Sequence, residues 1–233
     1  MQDEVAVAEA GGPEETARER FRAGLRAGLV FALPGAVLGL SFGVLAVDLG
    51  WGALAPIVMS VVVFSGSAQF AVASVLGGGG GALAAVLAAV LVNARFVPMG
   101  IAIAPSLSGG RLRRAVEGQA VVDTSWALAN RGDGRFDRER LIGATLPQAL
   151  AWMSGTAVGA LAGGLVGDPE TLGLDALFPA FFLVLLVDEL RSGTAVVAGV
   201  LAAALALALI PLTPPGVPVL AACLAALLGL RGR

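Results

Sequence analysis

The chain runs to 233 residues, 57% of them apolar and only 14% charged, with a net charge of −2. Soluble domains carry roughly 45–50% apolar and about 25% charged residues, so this balance excludes an ordinary water-soluble globule. With no His, one Cys and 15 cationic residues that are all Arg, it also excludes Ser-His-Asp chemistry, the usual zinc sites and an internal disulfide.

In chain order, residues 1–22 are rich in Glu, Ala and Gly and lack an apolar run. They are expected to form a disordered cytoplasmic tail rather than a cleaved signal peptide. A single transmembrane domain is expected over residues 23–233, because long apolar blocks then follow one another. These are Gly28–Val47, Leu54–Leu76, Ala82–Ala104, Leu141–Val166, Leu174–Val187, Ala195–Leu212 and Val217–Leu230. A helix crosses the hydrocarbon core with about 20 apolar residues, and a soluble core helix would show a polar stripe that these blocks mostly lack. The fold class expected is an all-α polytopic membrane bundle of six or seven hydrophobic segments. Arg-only, Ala/Gly-rich usage fits a GC-rich bacterial genome, hence the bacterial cytoplasmic (inner) membrane.

One long polar stretch, Pro105 to Arg140, carries Arg111, Arg113, Arg114, Arg131, Arg135, Arg138 and Arg140. The positive-inside rule makes it a cytoplasmic loop. Arg18, Arg20, Arg22 and Arg26 ask for a cytoplasmic N-terminus too, yet three full crossings between them would put the central loop outside. Either an early segment is re-entrant, or Ala115–Ala129 crosses, or the N-terminus is outside. Leu54–Leu76 is the block best placed to be broken, since Ser65-Gly66-Ser67 interrupts it.

The halves suggest an inverted repeat with broken helices. Pro34 precedes Gly35, Gly39 and Gly43, as Pro147 precedes Gly155, Gly159 and Gly163. Pro56 then Ser65-Gly66-Ser67-Ala68 is answered by Pro179 then Ser192-Gly193-Thr194-Ala195. An Ala/Gly-rich chain also produces such matches by chance. Glycines at every fourth position let membrane helices pack closely, which is the plainer account of both stripes. Gly77–Gly81 reads as a turn.

Polar groups within hydrocarbon are costly, so each asks for a partner or a task. Ser65, Gly66, Ser67 and Gln69 would let a helix unwind and offer backbone N–H groups to a carboxylate. Against this, the serines are able to bond the preceding turn and Gln69 to pair across helices. Asn93 and Arg95 sit in the next block, where Arg95 must pair, snorkel to water or bind an anion. Asp123 and the pair Asp188–Glu189 border apolar runs. They are candidates for pairing with Arg95, for a substrate ammonium or for a coupling proton, and equally for interfacial helix ends. Pro147 and Gln148 suggest a kink with a polar side. No phosphate-binding G-x-x-x-x-G-K-[ST] loop is present, so ATP hydrolysis, cofactor chemistry and enzymatic function are not expected. The basic stretch lacks interleaved aromatics, and no nucleic-acid partner is expected.

At Phe64-Ser-Gly-Ser-Ala-Gln-Phe70 and Asn93-Ala-Arg95 the sequence resembles the AzlC-type branched-chain amino acid permease family. The flanking elements Phe31-Ala-Leu-Pro34, Ser41-Phe-Gly43, Met59-Ser60 and Asp123-Thr124 follow in the family's order over residues 28–130. Ser65 stands where the family usually has Ala, and Phe96-Val97-Pro98 follows the Asn-x-Arg in place of the usual neighbours. The resemblance implies a secondary exporter of Val, Leu, Ile and sometimes Met, working with a separate small AzlD-type membrane subunit. Ser65, Gly66, Ser67, Gln69, Asn93 and Arg95 would line its site. A channel or transporter for another small solute, and a non-transporting membrane subunit, are the alternatives.

Overall fold

The computed structural model describes residues 15–131, 135–166, 183, 186, 187, 190, 193–213 and 217–223, and among these the structure is all-helical with no strand. Helix α1 (Ala17–Leu29) is followed by α2 (Ala32–Asp48), α3 (Leu54–Val62), α4 (Gly66–Gly77), α5 (Ala82–Asn93) and α6 (Phe96–Ile103). Beyond a 3₁₀ turn at Ala104–Ser106 come α7 (Arg111–Gly118), α8 (Asp123–Ala129) and α9 (Arg138–Val166), then α10 (Gly193–Leu209) and α11 (Val217–Cys223).

One expected continuous block, Ala82–Ala104, is a bent pair, and the block Gly28–Val47 joins α1 through a second bend. Helices α1 and α2 meet at 55° and α5 and α6 at 41°. Proline explains both, because it has no N–H to offer the carbonyl four residues back. Pro34 has no N–H to offer the Val30 carbonyl, and at this bend Phe31 N–H bonds Gly28, three residues back, at 3.0 Å. Pro98 does the same to Ala94, so Val97 N–H closes a tighter turn onto Ala94 at 3.1 Å. The third block, Leu54–Leu76, breaks between α3 and α4 at Phe64, which holds φ +39. The Gly77–Gly81 turn is formed around Gly79 at φ +81.

Two expected boundaries need correction. The tail expected over residues 1–22 gives way to α1 at Ala17. Thr16 and Glu19 form a reciprocal capping box, with the Thr16 hydroxyl accepting from Glu19 N–H and the Glu19 carboxylate accepting from Thr16 N–H at 2.8 Å. Such a box satisfies two of the orphan N–H groups of a helix start, a signal that hydropathy does not register. The 105–140 stretch is likewise not a plain loop, since it contains α7, α8 and the first residues of α9.

The long helix α9 is the spine, and α1 and α2 lie along it at backbone contact. A β-carbon at Gly39 would strike the Trp152 carbonyl, and one at Gly43 the Thr156 carbonyl. In return, Gly155 faces the Ala36 carbonyl and Gly159 the Leu40 carbonyl. The two glycine stripes therefore face one another and interdigitate, which is the packing reading of both. Gly24, Gly28 and Gly143 extend the seam into α1, against Arg140, Ala144 and Phe21.

Above this seam α4 is the most enclosed helix, with Ser67, Ala68, Gln69, Phe70, Ala71, Ala73 and Val75 all buried. Phe42, Phe70 and Trp152 stack edge to face along it, with ring centroids 5.7 and 6.1 Å apart, a favoured aromatic geometry. Large apolar side chains point outward instead. Leu83, Val86 and Val90 on α5 are exposed at helical spacing, as expected where the surroundings are lipid. Among the described residues no single helix is long and apolar enough to cross a membrane, while two bent pairs reach that length and composition together.

Candidate functional site

The breaks in the helices converge on one place. Ser65, the residue before α4, is extended at φ −139, ψ 98, and its side chain does not cap the helix. Its hydroxyl donates instead to Asn93 Oδ1 at 2.6 Å, tying the α3/α4 break to the α5/α6 break. The first N–H groups of α4 thus lack a side-chain cap and carry the partial positive charge of a helix start. Gly66 is required there, because a β-carbon would meet the Trp152 ring.

Arg95 lies at the second break. Its Nε donates to Asp123 Oδ1 at 3.0 Å and its Nη2 to Asp123 Oδ2 at 2.9 Å, a bidentate pair, while Nη2 also reaches Ser67 Oγ at 2.9 Å. The guanidinium sits over the Phe96 ring, 5.0 Å from its centroid. Asp123 opens α8, so a residue from the middle of the basic stretch is carried back onto the broken helices. Arg95 and Asp123 remain 34% and 50% exposed, which leaves both charges reachable from the cavity. Of the roles open to Asp123 in the sequence, the structure shows pairing with Arg95 and a place at a helix end.

These groups line a cavity of about 210 Å³. Its polar wall is Ser65, Ser67, Arg95, Asp123, Thr124 and Gln148, and its apolar wall is Phe31, Phe64, Phe96, Val122 and Trp152. Thr124 and Gln148, joined hydroxyl to amide oxygen, bring α9 into the site. A guanidinium beside a carboxylate, with uncapped helix N–H groups and aromatic surfaces opposite, is able to hold a small zwitterion with an apolar side chain.

Gln69 is not on that wall. It is fully buried, and its Nε2 donates to Ser60 Oγ at 2.8 Å. Ser60 also donates to Thr156 at 3.0 Å and accepts from Trp152 Nε1 at 3.3 Å. Ser67 and Gln69 are two positions apart on a helix, so they point to opposite sides. Ser67 faces Arg95, and Gln69 braces α3, α4 and α9 from behind the Trp152 ring. Asp188 and Glu189 lie outside the described residues. Sequence reasoning did not find Phe31, Phe64 or Trp152 as site walls, for large apolar side chains in an apolar chain carry no distinguishing signal.

A separate charge cluster sits where α7 meets α9. Glu117 is 8% exposed, accepts from Arg113 at 2.9 Å and is also paired with Arg138. The Arg138 hydrogen bond holds its carboxyl down to about 2, with Arg113 adding to the effect. Arg20 of α1 joins through Glu139, which pairs with both Arg20 at 3.7 Å and Arg138 at 3.2 Å, and Arg20 also pairs with Asp137 at 3.0 Å.

An all-helical structure with outward-facing Leu and Val and a charged, cavity-lined break defines a helical membrane protein. The family model described as AzlC protein matches residues 31–166, and the chain belongs to the AzlC family. It is 30% identical over 159 residues to the branched-chain amino acid transport protein AzlC of Bacillus subtilis, over 65% of this chain and 61% of that protein. The match thus spans about three-fifths of that relative's length. An uncharacterized membrane protein of Archaeoglobus fulgidus is 32% identical over 208 residues, covering 86% of this chain and 91% of its own. Inner membrane protein YgaZ of Escherichia coli is 25% identical over 184 residues, 73% of this chain and 74% of that one. No solved structure matches significantly.

Proposed function

We propose that the protein is the large subunit of a secondary-active exporter that moves Val, Leu, Ile and, as a similar unbranched side chain, Met across the bacterial inner membrane. The observation that carries this reading is the Arg95–Asp123 pair on an aromatic-walled cavity of about 210 Å³. The carboxylate of the amino acid is held by Arg95 and by the N–H groups at Ser65, Gly66 and Ser67. Asn93 fixes Ser65, and Gln69 supports α4 from behind. The apolar side chain lies against Phe31, Phe64, Phe96 and Trp152.

Apolar pockets distinguish one methylene by only about 1–3 kcal/mol, so overlapping specificity among these substrates is expected. The chain is multi-pass with its basic 105–140 stretch in the cytoplasm, in keeping with the Arg count there. A small AzlD-type subunit accompanies it. Export is driven by ion exchange, with Asp123 or Asp188 carrying the coupling proton.

The test is efflux from cells loaded with Ala-Val, Ala-Leu, Ala-Met and Ala-Lys dipeptides, expressing this chain with and without an AzlD-type partner. Faster appearance of Val, Leu and Met outside, but not Lys, and its loss in Arg95→Ala at equal abundance, is the expected result. Efflux no faster than from empty cells with the partner present would sink the assignment.

A further inference from the structure

A second cavity, about 620 Å³ against 210 Å³ for the first, lies on the α7 side of the helix breaks. The two share Phe64, Ser65 and Phe96 as common walls. The partition between them is therefore one aromatic residue from each break, closed by the Ser65–Asn93 hydrogen bond of 2.6 Å. Asn93 faces the larger chamber, together with Arg114 and Gln119.

The polar chemistry of that chamber is cationic. Arg114 donates to the Ala104 carbonyl and forms no ion pair among the described residues. Its neighbour Arg113 is committed to Glu117. A guanidinium bonded to a single neutral oxygen retains donors for a planar anion. Ile103, Leu107 and Val121 supply an apolar side to the same space. The chamber thus repeats, at larger volume and without an opposing carboxylate, the combination of cation and apolar wall found around Arg95.

Resting on the exporter reading above, we infer that this chamber is a separate loading site, in which Arg114 takes the carboxylate of the amino acid before it passes Phe64 and Ser65 to Arg95. The substrate class is an anion-bearing apolar amino acid that keeps part of its water, since the chamber is too large to strip it. The partition opens when Ser65 releases Asn93. Specificity resides beyond it, in the smaller cavity, and the loading site governs capture.

The experiment is radiolabelled leucine uptake into inside-out vesicles holding this chain and its small partner, with Arg114→Gln and Arg114→Lys as variants. Loss of one charge-assisted bond made equally in bound and transition states raises KM about tenfold with the maximal rate kept, and Lys restores part of the difference. In a Cys223→Ser background, Gln119→Cys is labelled by a membrane-impermeant thiol reagent on the cytoplasmic face, and leucine slows that labelling. An unchanged KM in Arg114→Gln at wild-type abundance, or labelling that leucine leaves unaffected, overturns the loading site. Wild-type vesicles that take up no leucine overturn the exporter reading itself, which is a different failure.

Discussion

The seam between α1–α2 and α9 and the site at the α3/α4 and α5/α6 breaks are built by opposite means. In the seam, backbone meets backbone through Gly39, Gly43, Gly155 and Gly159, and no charged side chain takes part in those contacts. At the site, helices stop short, carbonyls and N–H groups are freed, and Arg95, Asp123, Ser65 and Ser67 fill the gap. One region keeps helices together and tolerates no added atom. The other keeps them apart and holds charges that solvent still reaches. The two regions are thereby built from different residues, and they are separable by mutation.

The largest effect belongs to the seam. Gly39→Val or Gly155→Val places methyl groups against the carbonyls of Trp152 and Ala36, which cannot rotate away. Overpacking costs typically about 1–3 kcal/mol, and more against backbone. The expected outcome is little or no monodisperse protein on size-exclusion chromatography in mild detergent. Wild-type yield and elution from either variant would mean the seam is not in backbone contact.

Next comes the reverse case. Arg95→Lys keeps a charge but loses the bidentate fork to Asp123. The pair is a third to a half exposed, where ion pairs contribute about 0–1 kcal/mol, so thermal stability should stay near wild type. Leucine efflux should fall at least about tenfold, because a single ammonium does not replace planar recognition. A variant that melts early and transports normally per folded molecule would reverse the comparison.

Much of this division was visible in the sequence, for particular reasons. Pro34, Pro98 and Ser65-Gly66-Ser67 each remove or weaken a helical hydrogen bond locally, so the breaks follow from single residues. The glycine stripes announce close packing by their four-residue period. That the stripes at Gly39 and Gly155 face each other, and that Arg95 reaches Asp123 across 28 positions, depends on tertiary arrangement that no local pattern encodes. Gln69 was grouped with Ser67 by proximity in sequence, although helical period separates them. The capping box at Thr16–Glu19 is legible in the sequence as a helix start, but it lies outside the apolar blocks that hydropathy marks.

The Glu117 cluster sharpens the comparison at smaller scale, for it is a charged contact that serves stability. Its carboxyl is held at about 2, below the ordinary glutamate value of 4.5. Between those two values the unfolded chain binds the proton and the folded chain does not, so stability rises with pH in that window. The contribution is complete above the unfolded value and is lost as pH falls toward 2. The wild type should therefore lose more melting temperature than Glu117→Gln between about pH 5 and about pH 3, and equal losses would remove Glu117 from the account.

The smallest effect concerns the hinge itself. Phe64 holds φ +39 between α3 and α4, a left-handed conformation that costs a side chain with a β-carbon about 1–2 kcal/mol and glycine almost nothing. Both Phe64→Ala and Phe64→Gly lose the aromatic wall shared by the cavities, so their difference isolates the backbone. In an ordinary helix Ala is the more stable by about 1 kcal/mol. Here the order should invert, with Phe64→Gly melting above Phe64→Ala in parallel thermal unfolding in detergent. Inversion would mean that the site is held under strain while the seam is relaxed, so that any opening movement is favoured at the break and resisted along α9. The ordinary order would mean that residue 64 adopts a helical φ in the membrane, and that α3 and α4 are held apart by their side chains alone.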